Sequence, residues 1–121
     1  MTRRDLQIKS REMGRPWDFG KDFENAAVIS PLVPASETGE LGSGNIQLSV
    51  NGAVKQNADL KDLIWSVPEV IANLSEYYHL QPGDLIYTGT PEGVGPVQPG
   101  DKITGKIDKL GEIALTLGQP E

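Results

Sequence analysis

Two copies of Pro-Gly-Asp, Pro82-Gly83-Asp84 and Pro99-Gly100-Asp101, bracket the stretch LQPGDLIYTGTPEGVGPVQPG and fix two reversals of the chain. Proline presets the first turn residue, glycine supplies the next, and aspartate can bond the backbone after it. Between the turns lies a short apolar run, Leu85-Ile86-Tyr87-Thr88, which reads as a strand. The loop Gly89-Thr90-Pro91-Glu92-Gly93-Val94-Gly95 follows it. Its glycines would let backbone N–H groups approach a ligand, and Thr90 adds a hydroxyl. Such a loop could hold a carboxylate, or it could be an ordinary turn. No Gly-Lys-Ser/Thr follows, so it is not a phosphate-binding P-loop.

Composition sharpens the same picture. With 14 glycines and 9 prolines in 121 residues, turns and strands are favoured over a helical bundle. The length suits one small domain, and 37% hydrophobic content with 6% aromatic gives a thin core. A net charge of −6 and the lack of basic runs interleaved with aromatics argue against nucleic acid and acidic membranes as partners. No apolar run approaches the ~18 residues of a membrane span. Arg3-Arg4 has no apolar segment after it, so it is not a twin-arginine signal. The absence of cysteine removes disulfides and thiolate metal sites and fits a cytoplasmic protein. A single histidine, His79, leaves no His-based metal site or triad within this chain, and its place after a helix reads as structural.

Along the chain, Thr2 to Met13 reads as a helix, with Thr2 and Asp5 spaced as a capping box and Gly14 and Pro16 as the stop. Arg4, Gln7 and Arg11 share one face of it. Either this face is a solvated charged surface or it serves an anionic partner. In the following loop Trp17 and Phe19 could anchor on the core, and Lys21, between Phe19 and Phe23, could be partly shielded. Desolvation would strengthen its charge toward an anion. Val28-Ile29 and Leu32-Val33 suggest an edge or bulged strand, and 35–44 a loop. Residues 46–50 alternate as a half-buried strand, and Asn51-Gly52 signals a hairpin. A short helix at 60–65 and a main helix at 67–78 follow. Ser66 and Glu69 form a capping box around Pro68, and the main helix is the expected chief core-packing element. Residues 102–107 and 112–117 alternate as two closing strands.

Three ordered pieces are specific: Thr2-Arg3-Arg4-Asp5-Leu6-Gln7, Gly20-Lys21-Asp22-Phe23, and Gly83 through Gly95. Together they resemble the fumarylacetoacetate hydrolase family over essentially the whole chain. Arg15-Pro16-Trp17 and Asp62-Leu63-Ile64-Trp65-Ser66-Val67 resemble its bacterial subgroup that acts on fumarylpyruvate in aromatic-compound catabolism. The resemblance implies a mainly β chain with few helices, a mixed β-sandwich roll of the fumarylacetoacetase C-terminal-domain type, usually dimeric. It implies metal-dependent hydrolysis of a carbon–carbon bond in a β-diketo acid, with Mg²⁺ or Mn²⁺ holding the keto acid. By the family pattern Arg4 and Gln7 would face the reacting carbonyls, Lys21 would stabilise the oxyanion or the departing enolate, and Thr90 would hold a carboxylate or keto oxygen.

The departure from the pattern is as informative. In the family an aspartate stands immediately before the residue matching Met1 and binds the metal. Further ligands lie in an earlier Glu-x-Glu strand, and the water-activating groups are also upstream. Residues 1–121 thus resemble the C-terminal part of a single catalytic domain, truncated at the N-terminus, with no replacement carboxylate cluster for a hard cation. Metal ligands are expected upstream of Met1, and the chain alone is expected not to bind the metal or to turn over substrate. An inactive remnant and a related oxaloacetate decarboxylase or keto–enol tautomerase stay open beside the hydrolase.

Overall fold

Two helical segments near the start of the chain meet through a glycine. In the computed structural model, which describes residues 1–119, helix α1 spans Arg4–Glu12 and the single turn α2 spans Asp18–Lys21. The Arg3 N–H donates to the Gly20 carbonyl at 3.0 Å. A Cβ on Gly20 would stand 2.9 Å from the Gln7 nitrogen and 3.1 Å from the Arg3 carbonyl oxygen, so only glycine allows this approach. The expected Thr2–Asp5 capping box does not form. Lys21 Nζ donates to the Thr2 hydroxyl at 3.0 Å instead, and α1 starts two residues later than its sequence pattern suggests. Gly14, at φ +64, sits where the helix stops, as expected. Trp17 and Phe19 do not anchor the loop, being 45% and 79% exposed. The ring engaged in this unit is Phe23, with the Arg3 guanidinium 4.4 Å over its centroid. These elements belong to a compact unit, Met1–Pro31, and the chain from Leu32 onward forms a second.

No strand forms at Val28-Ile29 or Leu32-Val33. Pro31 and Pro34 remove backbone donors there. Pro34 opens the short turn α3 (Ala35–Thr38), inside the stretch expected to be loop.

The sheet follows the sequence pattern closely. Strands β1 (Asn45–Val50) and β2 (Ala53–Asp59) form a hairpin through Asn51 and Gly52, whose φ values of +51 and +80 are those of a type I′ turn. Leu48 faces Gln56 and Ser49 faces Val54, which leaves Lys55 as the extra residue of a β-bulge. After a 3₁₀ turn at Leu60–Asp62, capped by Asp59, comes α4 (Val67–Ser75). Its Ser66–Glu69 capping box is present, with the Ser66 N–H donating to the Glu69 carboxylate at 2.7 Å and Pro68 in the first turn. The helix stops at Ser75, short of the expected 78. Strands β3 (Lys102–Ile107) and β4 (Gly111–Thr116) complete an antiparallel sheet of order β2-β1-β3-β4. One sheet with few helices is the class of fold expected.

Two expectations about this unit fail. Leu85-Ile86-Tyr87-Thr88 enters no ladder, because no strand among the described residues lies beside it. Helix α4 buries no residue, so it is not the chief core-packing element; Val70 and Leu74 are only half-buried. The core is thinner than composition suggests: Ile103, at 6% exposure, is the only buried hydrophobic residue among those described. Ile64 is 96% exposed.

Candidate functional site

The first unit holds three of the expected site residues. Arg4 Nη1 donates to Gln7 Oε1 at 2.9 Å, which confirms that the two share a face of α1. With its oxygen engaged by Arg4, the amide of buried Gln7 has its NH₂ as the group left to offer another partner. Gly20 packs on Gln7, and the next residue, Lys21, is thereby held beside the start of α1. Lys21 spends one N–H on Thr2 and keeps two for another acceptor. It is exposed, as is Phe19, so the expected aromatic shielding is absent. The Met1 amino group donates to the Ala26 carbonyl. Its pKa lies below the usual value, chiefly because of burial and secondarily because of the positive charge of Lys21. A separate groove of about 460 Å³, lined by Leu6, Met13, Pro16 and Phe19 among others, lies on the side of α1 away from Arg4 and Gln7.

Thr90 lies in the second unit, on the glycine-rich loop, and is exposed. The residue that fixes this loop is Gln56, buried at 8% exposure on β2 beside the bulge. Its Nε2 donates to the Thr90 hydroxyl oxygen at 2.9 Å, to the Pro91 carbonyl at 2.7 Å and to the Glu92 carbonyl at 3.3 Å. Gly93, at φ +94, lies so close to β2 that a Cβ would stand 2.0 Å from the Lys55 carbonyl oxygen. Close packing on the bulge, rather than ligand approach, thus explains this glycine. Gln56 carries no sequence signal. A glutamine in a hairpin's return strand is usually solvated, and its burial arises from the loop that covers it.

Both Pro-Gly-Asp motifs make the expected turns, with Gly83 at φ +104 and Gly100 at φ +93, as type II geometry requires. Their aspartates reach backward, not forward: Asp84 accepts from the Gln81 N–H and Asp101 from the Gln98 N–H, each at 2.8 Å. Asp101 also accepts from the Asn51 side chain at 2.8 Å, tying the hairpin turn to the second reversal. These bonds, the Gln98 N–H first, hold the Asp101 carboxyl below the usual aspartate range. His79 is exposed. Among the described residues no group of three or more His, Cys, Asp or Glu side chains could hold a metal ion. The residues present therefore do not by themselves fit a Mg²⁺ or Mn²⁺ site.

A single antiparallel four-stranded sheet with few helices is the class of fold these residues build. The family profile described as fumarylacetoacetate (FAA) hydrolase C-terminal matches residues 1–117, and the chain belongs to that family. Among curated proteins it is 57% identical over 121 residues to a fumarylpyruvate hydrolase of a Ralstonia species, covering all of this chain and 62% of that protein. It is 40% identical over 109 residues to the oxaloacetate tautomerase YcgM of Escherichia coli K12, covering 89% of this chain and 50% of that one. Among solved structures it matches the fumarylpyruvate hydrolase of Pseudomonas aeruginosa in complex with Mn²⁺ and pyruvate, with a TM-score of 0.97 and 50% identity over 99% of this chain and 52% of that one. The chain thus spans between half and two thirds of the length of these relatives. No helix among the described residues is long and apolar enough to cross a membrane.

Proposed function

We propose that residues 1–121 are the C-terminal part of a single catalytic domain that hydrolyses the carbon–carbon bond of an acylpyruvate, most simply fumarylpyruvate to fumarate and pyruvate. The observation that carries this reading is the near-complete superposition of the chain on a fumarylpyruvate hydrolase whose crystal holds Mn²⁺ and pyruvate. The donors of the first unit support it. Water gives up one proton to a base and adds to the carbonyl beside the bond that breaks, giving an oxyanion. The bond's electron pair leaves on pyruvate as an enolate, which then takes up a proton. A dianionic substrate passing through these states needs fixed positive charge and N–H groups. Arg4 offers a planar fork for a keto acid, Gln7 an amide NH₂, Lys21 two free N–H groups, and Thr90 a hydroxyl for a substrate oxygen.

Mg²⁺ or Mn²⁺ would be held with the help of residues outside this chain, because the described residues form no ligand set. The exposed apolar side chains, Ile64 and Leu32 at 96% and 77% among them, support a larger domain or a homodimer as the functional state. A cytoplasmic place and a role in aromatic-compound catabolism go with the same reading. The E. coli relative favours one alternative, keto–enol tautomerisation of oxaloacetate at the same residues. Assaying the full gene product with Mn²⁺ on both substrates separates the two. Faster turnover of fumarylpyruvate supports the hydrolase, and turnover of oxaloacetate alone overturns it.

A further inference from the structure

We propose that Gln56 is a positioning residue that occupies one acceptor side of the Thr90 hydroxyl and leaves its proton for the ligand, and so favours an acceptor oxygen, a carboxylate or enolate, at that point of the ligand. This rests on the reading of Thr90 as a substrate-binding group. The Pro91 and Glu92 carbonyls can only accept, so the side-chain end of Gln56 that touches both, at 2.7 and 3.3 Å, is its NH₂. The same NH₂ meets Thr90 Oγ1 at 2.9 Å, and the hydroxyl oxygen therefore receives a proton. A hydroxyl that accepts on one side keeps its own proton for another partner. Among the described residues no protein group takes that proton, and Thr90 is exposed, so the O–H is free to donate to a ligand.

Gln56 is fitted to this task. It is buried, so water does not compete freely for its amide. The bulge at Lys55 and the contact of Gly93 with the Lys55 carbonyl hold the loop against it. Glutamate at the same position would reverse the polarity. Its carboxylate would accept the Thr90 proton and repel the Pro91 and Glu92 carbonyls. Methionine would fill the space and neither give nor take a hydrogen bond.

The test is steady-state kinetics on the full gene product with Mn²⁺, using fumarylpyruvate as substrate and pyruvate as competing ligand. Gln56→Glu is expected to raise KM and the pyruvate inhibition constant roughly 10- to 100-fold, the loss of a hydrogen bond to a charged group, with a smaller change in kcat. Thr90→Val is expected to do the same, and the double variant to be no worse than Thr90→Val by more than about twofold. Gln56→Met falls between the wild type and Gln56→Glu. If Thr90→Val is harmful while Gln56→Glu is not, or if Gln56→Met is as harmful as Gln56→Glu and both add to Thr90→Val, the proposal for Gln56 is overturned. If Thr90→Val changes neither constant, the reading of Thr90 falls and takes this one with it. Should circular dichroism show Gln56→Glu unfolded, Gln56→Met in the Thr90→Val background decides: a further loss there overturns the proposal, and none supports it.

Discussion

Replacing Gly93 by alanine puts the packing of the glycine loop to a quantitative test. The new Cβ would stand 2.0 Å from the Lys55 carbonyl oxygen, about 1 Å inside the 3.0 Å at which real contacts begin. Both backbones are fixed, one by the sheet and the other by Gln56, so the loop must lift by about that distance. Gln56 bonds of 2.7 and 2.9 Å then stretch past useful length. Losing two such bonds costs about 2 kcal/mol. Alanine at φ +94 adds about 1–2 kcal/mol of backbone strain. Gly89 is the control, since it has a similar φ of +109 but nothing within 4 Å of its Cβ position. Gly89→Ala therefore carries the strain without the clash. Urea unfolding of the full gene product should place Gly93→Ala about 3–4 kcal/mol below wild type and Gly89→Ala about 1–2 kcal/mol below it. At a typical urea slope of about 1–3 kcal/mol per M, the gap between the two variants is readily resolved. Equal destabilisation of the two would refute the close contact between the loop and the β2 bulge.

Gly20→Ala should push α2 away from α1, since its Cβ meets the Gln7 backbone at 2.9 Å. A displacement of Lys21 on the order of 1 Å would lower kcat/KM by about 10²-fold, measurable in the fumarylpyruvate assay. The carboxyls of Asp59, Glu69 and Asp101 all lie below their usual pKa because backbone and side-chain donors hold them charged. Each folded-state pKa is below the unfolded one, so their contribution is present above about pH 4–5 and is lost as pH falls through the lowered values. Denaturation midpoints measured between about pH 2 and 6 should fall on the acid side, and Asn51→Ala should flatten the part due to Asp101. The purified 121-residue chain should show no Mg²⁺- or Mn²⁺-dependent hydrolysis of fumarylpyruvate, and measurable metal-dependent turnover would contradict the placement of the metal ligands outside it.

What was legible in the sequence was local. Asn51-Gly52 sets its turn through its own positive φ values, the Ser66–Glu69 box and the two Pro-Gly-Asp turns carry hydrogen-bond partners within a few residues, and all form. Thr2 fails as a cap because a lysine 19 positions away claims its hydroxyl. Leu85-Ile86-Tyr87-Thr88 is apolar enough for a strand, but a strand exists only with a neighbour. Helix α4 has the periodicity of a core helix, and periodicity does not say whether the surface it would pack on is present. At the site, Arg4 and Gln7 follow from helical spacing. Gln56 does not, because its importance comes from a bulge and a loop 34 residues on that bury it together.

The most direct measurement is a crystal structure of the full gene product with Mn²⁺ and pyruvate. Donors from Arg4, Gln7, Lys21 and Thr90 should all lie within hydrogen-bond distance of the bound keto acid or of the space beside it that the acyl group fills. Pyruvate bound elsewhere, or Thr90 turned away from it with its hydroxyl proton given to a protein group, would contradict the account.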